Sequence, residues 1–182
     1  LGAANSLAGL LIALIAPAIG AIADRGSAKK KFLCMFAYLG VLMTASLFLV
    51  QQGDWKVAIF CYTIATIGYA GGNIFYDSLL TTVAPKNRMD FISSLGFSIG
   101  YLGGGILFAI NVWMTLSPAT FGLADVTEAV QYSFLSVAIW WGLFSIPIFL
   151  FVEEPPQTSK VSNLVIIRDG LKQLRKTFKE IR

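Results

Sequence analysis

Asp77 is a carboxylic acid set well inside the apolar run 57–80, with Asn73 four residues before it and Tyr76 beside it. An unpaired charge in hydrocarbon costs several kcal/mol, so such an acid faces an aqueous path, finds a cation, or is held protonated. At helical spacing Asn73 and Asp77 share one face, with Tyr76 flanking it, and the patch could contact a substrate or carry a coupling proton or cation. A structural reading competes with this one. Asp77 lies about 20 residues from Val57, near one end of the run, where pairing with Arg25 or a nearby lysine is expected.

A second group sits where another apolar run stops. In GAIADRGSAKKK, residues 20–31, Gly20 is followed by Asp24 and Arg25 and then by Lys29 and Lys30. A third group is made of glycines. Gly96, Gly100 and Gly104 recur every four residues and so fall on one helix face, which Gly103 and Gly105 widen; Gly68 and Gly72 form a shorter stripe. Small residues at that spacing let a second helix approach at backbone distance.

Other chemistries lack their residues. The chain has no histidine, which removes the commonest metal ligand and proton shuttle, and no Gly-x-Ser-x-Gly elbow. Neither a catalytic group nor a metal site nor a cofactor is expected. Cys34 and Cys61 belong to opposite ends of neighbouring runs, roughly 15–20 Å apart in depth, too far for a disulfide.

The elements that position these residues are long and apolar. Hydrophobic residues make up 56% of the 182 and charged ones 13%, with a mean hydropathy of +0.71. Five runs reach the length needed to cross a hydrocarbon core of about 30 Å: 1–23, 32–50, 57–80, 91–116 and 132–152. They predict an all-α polytopic bundle whose first partner is the lipid bilayer.

Basic residues sort between the runs. Thirteen of the 14 lie after the first, third and fifth runs, and Lys56 stands alone in the alternate gaps. By the positive-inside rule those three connections are cytoplasmic, and the first span runs from outside to inside. The net charge of +4 then faces the anionic inner leaflet, and nucleic acid is not a partner. An outside start implies an earlier span, so the chain is expected to be an interior piece of a longer protein, with the missing remainder as a partner. Beyond Glu153, Glu154, Pro155 and Pro156, apolar residues recur at steps of three and four among Arg168, Lys172, Arg175 and Lys179, predicting a basic amphipathic helix within 153–182.

With the loop and its sidedness in place, the segment 20–31 resembles the cytoplasmic loop signature of the major facilitator superfamily, with Gly20, Asp24, Arg25, Lys29 and Lys30 in its positions. GNIFYDSLL (72–80) and SSLGFSIGYLGGG (93–105), with the Glu-Pro-Pro exit, are similar to the branch that includes vacuolar amino-acid effluxers and their bacterial relatives. Gly96, Gly100, Gly104 and Gly105 also resemble a glycine motif of drug–proton antiporters, with Tyr101 where that motif carries proline.

The resemblance covers the whole chain and implies helices two to six of a transporter plus the central linker. It implies that the 20–30 loop gates the inner face; Asn73, Tyr76, Asp77 and Tyr101 stand beside it as candidate substrate or coupling residues. A small-molecule substrate, amino-acid efflux by alternating access, and a bacterial cytoplasmic membrane (or a vacuolar one in a eukaryote) follow as expectations. A non-transporting membrane protein is the alternative. An intramembrane aspartyl protease is more distant, since the second intramembrane aspartate it needs is missing.

Overall fold

The computed structural model describes residues 2–25 and 29–154. Among them the chain is helical, without strands: α1 (Gly2–Arg25), α2 (Lys29–Ser46), α3 (Trp55–Val83), α4 (Met89–Leu116) and α5 (Val126–Phe151). Short 3-10 turns at Leu47–Leu49, Lys86–Arg88 and Pro118–Phe121 join them. The amphipathic helix expected within 153–182 lies outside the described residues from 155 onward.

Four of the helical stretches are long and apolar enough to span a membrane: Lys29–Leu49, Trp55–Thr81, Lys86–Leu116 and Val126–Phe151. In α1 the apolar stretch Asn5–Pro17 is shorter. α5 starts six residues before its continuous apolar run, and the reason is local. Asp125 accepts a hydrogen bond from the Glu128 amide (2.9 Å), while the Glu128 carboxylate accepts one from the Ala124 amide (2.6 Å). The first bond satisfies an amide that a helix start leaves without a partner, and the second ties the residue before the cap to the first turn, so the helix extends into what otherwise reads as loop.

Helices in lipid gain little from apolar contact with each other, because the surrounding tails are as apolar as leucine; close fit decides instead. The largest interface joins α2 to α3, followed by α1 with α3 and α2 with α5. At its centre Phe75, 1% exposed, stacks between Phe32 (5.2 Å, 11° between ring planes) and Phe36 (5.8 Å, 23°). Ile19, Ala23, Leu33 and Leu79 complete this core. Gly68 makes the fit possible: a Cβ there would lie 2.7 Å from the Gly40 nitrogen and 2.8 Å from the Phe36 carbonyl oxygen. Gly40 itself lies under the Trp141 ring of α5, leaving no room for a side chain.

α4 is bound differently. It packs on α5, scarcely touches α3, and has Met114 as its one buried residue. Phe91, Leu102, Phe108 and Leu116 are all at least 66% exposed. A helix apolar on every side is a membrane helix or the core of something larger.

Two polar ends close the bundle. At one, Gln52 donates to the Thr127 hydroxyl (2.9 Å) and Gln131 to the Val50 carbonyl (3.0 Å). At the other, the basic end, α2 begins and α5 finishes.

Candidate inner gate and polar face

The basic end is held by bonds that converge on the first turn of α2. A helix start presents amides without intrahelical partners and a partial positive charge, and an anion placed there answers both. Glu154 supplies it. The Lys29 amide donates to one carboxylate oxygen (2.7 Å) and the Lys30 amide to the other (3.3 Å).

The lysine side chains reach elsewhere. Lys30 Nζ donates to the Val152 carbonyl (2.7 Å), and Lys29, 8% exposed, donates through Nζ to the Ser78 carbonyl of α3 (3.3 Å). Ser78 Oγ in turn donates to the Ala23 carbonyl of α1 (2.8 Å). Four helices thus meet at one polar knot. Of the loop residues identified from sequence, Lys29 and Lys30 are in it. Gly20 is half-buried, with no heavy atom within 4 Å of a Cβ built on it. Asp24 and Arg25 end α1, and their side chains lie outside the described residues, as does the expected pairing of Arg25 with Asp77.

α3 carries the other candidates. Tyr62, Thr66, Tyr69, Asn73 and Asp77 follow at steps of four, three, four and four, and Tyr76 flanks them, so the polar residues of an apolar helix gather on one face. The Tyr62 hydroxyl donates to Asn5 Oδ1 of α1 (3.2 Å), and Thr66 back-bonds to the Tyr62 carbonyl (2.8 Å). Tyr69 meets Trp141 edge to face at 6.1 Å. Asp77 is exposed and makes no hydrogen bond or ion pair with any described residue.

Two cavities run along this face. A groove of about 630 Å³ lies between α3, α4 and α5, with Tyr62 and Thr66 on one wall and Phe108, Asn111, Phe134 and Trp140 on the other. A smaller one, about 90 Å³, holds Asn73, Tyr76 and Ser145. Tyr69 and Trp141 line both and so stand between them. Asn111 accepts from Ser136 Oγ across the α4–α5 contact (2.9 Å).

Asn73 and Tyr76 therefore come together, with Asp77 beside them. Tyr101, 79% exposed on α4, lines neither cavity. Along the glycine stripe, a Cβ at Gly96 would meet Tyr76 Oη at 3.3 Å, whereas Gly100 and Gly104 face open space. The close helix approach falls at Gly68, a member of the shorter stripe, against Gly40 of α2. Sequence reasoning did not single out Gly40, a lone glycine in its span, and it read Glu154 only as part of the Glu-Pro-Pro exit, not as the partner of α2.

Among the described residues no three His, Cys, Asp or Glu side chains gather to hold a metal, and Cys34 and Cys61 are thiols.

Residues 3–182 match the family model described as vacuole effluxer Atg22 like. The uncharacterized MFS-type transporter YxiO of Bacillus subtilis is 37% identical over 183 residues, covering all of this chain and 42% of the relative. An uncharacterized protein of Aquifex aeolicus is 29% identical over 83% of the chain and 35% of its own length. Autophagy-related protein 22 of Vanderwaltozyma polyspora is 20% identical over 74% of the chain and 28% of its own. The chain thus spans less than half the length of each of these relatives. No solved structure matches it. Apolar helices long enough to cross a bilayer, a polar face inside them and a family match over nearly every residue agree, and the chain belongs to the Atg22-like vacuole effluxer family.

Proposed function

We propose that this chain forms helices two to six of a secondary transporter, which moves a small polar metabolite across a membrane by alternating access between two halves. The observation that supports this most is the face of α3. Five polar side chains from Tyr62 to Asp77 share it, and two cavities run alongside. Lipid would not repay such a face, whereas a substrate path would. Autophagy-related protein 22 and an MFS-type transporter are among the relatives, and amino acids are the substrate class we propose. In this reading Asn73, Tyr76 and Tyr69 contact substrate, Asp77 carries the coupling charge, and the 20–30 loop with its lysines closes the inner face. Tyr101 and Gly100 then face segments outside this chain, while Gly104 lines the groove.

The full-length protein in proteoliposomes, given an amino-acid panel and an imposed pH gradient, should move at least one amino acid faster than empty vesicles. No movement of any panel member with either gradient polarity would favour the non-transporting alternative.

Orientation is tested separately. With the basic residues placed in the cytoplasm, a cysteine at Ser27 should react only with reagents that enter the cell, and one at Thr120 should react from outside. Labelling of the Ser27 position in intact cells by an impermeant reagent would invert the topology.

A further inference from the structure

We propose that the groove between α3, α4 and α5 is a site for an organic ammonium ion, held against aromatic rings rather than by an ion pair. The proposal rests on the reading of the α3 face as a solute path and extends the ligand class of that path beyond amino acids.

Three observations carry it. The first is the lining. Six aromatic residues surround the groove of about 630 Å³: Tyr62, Tyr69, Phe108, Phe134, Trp140 and Trp141. Its other polar members, Thr44, Thr66 and Asn111, are neutral. An aromatic ring is negative on its faces, so it attracts a cation placed over it, and the attraction grows as water is removed.

The second is geometry. Tyr69 and Trp141 meet edge to face, with centroids 6.1 Å apart and planes at 75°, so the two rings form a corner rather than one flat wall. Aromatic cages for ammonium groups are built from such corners. This one is held and open at once. Trp141 rests on Gly40, where no side chain fits, while Tyr69 is 59% exposed. On the opposite wall Phe108 is also largely exposed.

The third is charge. Among the described residues, neither this groove nor the smaller cavity beside it is lined by a lysine or an arginine. Lys29 and Lys30 donate to the Ser78 and Val152 carbonyls at the inner end. The carboxylate of a bound solute would therefore lie in the groove without a cation, which an apolar setting penalises. An ammonium group meets no such penalty. It has the rings, and Asp77 lies on the same face of α3 one turn beyond Asn73, exposed and without an ion pair to any described residue. A solute that keeps the ammonium and lacks the carboxylate suits the groove better than the matching amino acid.

The test is isothermal titration of the full-length protein in lipid nanodiscs with phenethylammonium, phenylalanine and hydrocinnamate. The three share a phenyl ring and carry a positive, a zero and a negative net charge. Phenethylammonium should bind about tenfold more tightly than hydrocinnamate, with phenylalanine between them. Tyr69→Leu should weaken phenethylammonium about tenfold and scarcely affect hydrocinnamate, whereas Tyr69→Phe, which keeps the ring, should retain most of the affinity. Phe108→Leu should act in the same direction by about threefold, which preserves the test if the Tyr69 variants fold poorly.

Equal affinity for the three probes, or an equal loss of amine and acid in Tyr69→Leu, would reduce the groove to an apolar surface and overturn the proposal. Binding of none of them would show the groove to be covered by another part of the protein and would overturn it too. The reading beneath it is judged separately, by the proteoliposome assay. Amino-acid transport with no preference for the amine would leave the solute path standing and refute the ammonium site. Amine binding without transport of any amino acid would leave the site standing and refute the substrate class alone.

Discussion

Gly68→Leu should fail to yield a folded protein, and Gly68→Ala should lose about 3 kcal/mol of stability, seen as a lower unfolding temperature in detergent. The Cβ of alanine would lie within 2.8 Å of three α2 atoms, the nitrogen and Cα of Gly40 and the carbonyl oxygen of Phe36. All three are backbone, so no side chain can turn aside, and α2 and α3 would have to separate along the largest interface in the bundle. That separation also unstacks Phe75 from Phe32 and Phe36. Gly100→Ala supplies the comparison, since nothing lies within 4 Å of a Cβ there. If Gly68→Ala unfolds no earlier than Gly100→Ala in the same detergent, the close approach of α2 and α3 is wrong.

Asp77→Asn should reduce gradient-driven accumulation of substrate by about tenfold or more, as expected for an intramembrane acid that carries the coupling charge. The unfolding temperature should scarcely move. Asp77 is exposed and makes no hydrogen bond or ion pair with a described residue, so asparagine, nearly the same shape, removes a charge without stripping a partner. Substrate-for-substrate exchange down a concentration gradient should persist, because the neighbouring Asn73 and Tyr76 are unchanged. The structural alternative makes the opposite forecast. If Asp77 pairs with Arg25, the variant should unfold earlier, slow accumulation and exchange together, and recover in part when Arg25 is neutralised as well. A stable variant with normal accumulation would remove Asp77 from both roles.

Much of this arrangement can be read from the chain, because apolar length is a strong signal. α3 and α4 coincide with the apolar runs 57–80 and 91–116 to within a few residues. The start of α5 departs further, since its capping pair, Asp125 and Glu128, is polar and reads as loop to any measure of hydropathy. The glycines show a different limit. Four-residue spacing establishes that Gly96, Gly100 and Gly104 share a face, yet it is silent about what stands opposite. Gly40 and Gly68, each ordinary by spacing with respect to the other, are brought together only by packing.

The candidate site divides along the same line. Asn73, Tyr76 and Asp77 were legible because polar residues in a span are costly wherever they are not used. The contact of Glu154, by contrast, was not legible, although the residue is part of the Glu-Pro-Pro exit, because its partners are backbone amides more than a hundred residues away, and amides have no sequence.

The core described above also sets an order of assembly during synthesis. Ile19, Ala23, Leu33, Phe75 and Leu79 all come from the first three helices of the chain. Once α3 has left the ribosome, the buried members of that core are all present, and Ile148, Phe149 and Val152, which pack against it, follow only with α5. α4 is made next and contributes a single buried side chain, Met114. α5 then returns to α2 and brings Trp141 over Gly40, and Glu154 arrives last. The bond between the first turn of α2 and residue 154 is thus a completion mark: among the described residues it forms only after every helix has been delivered.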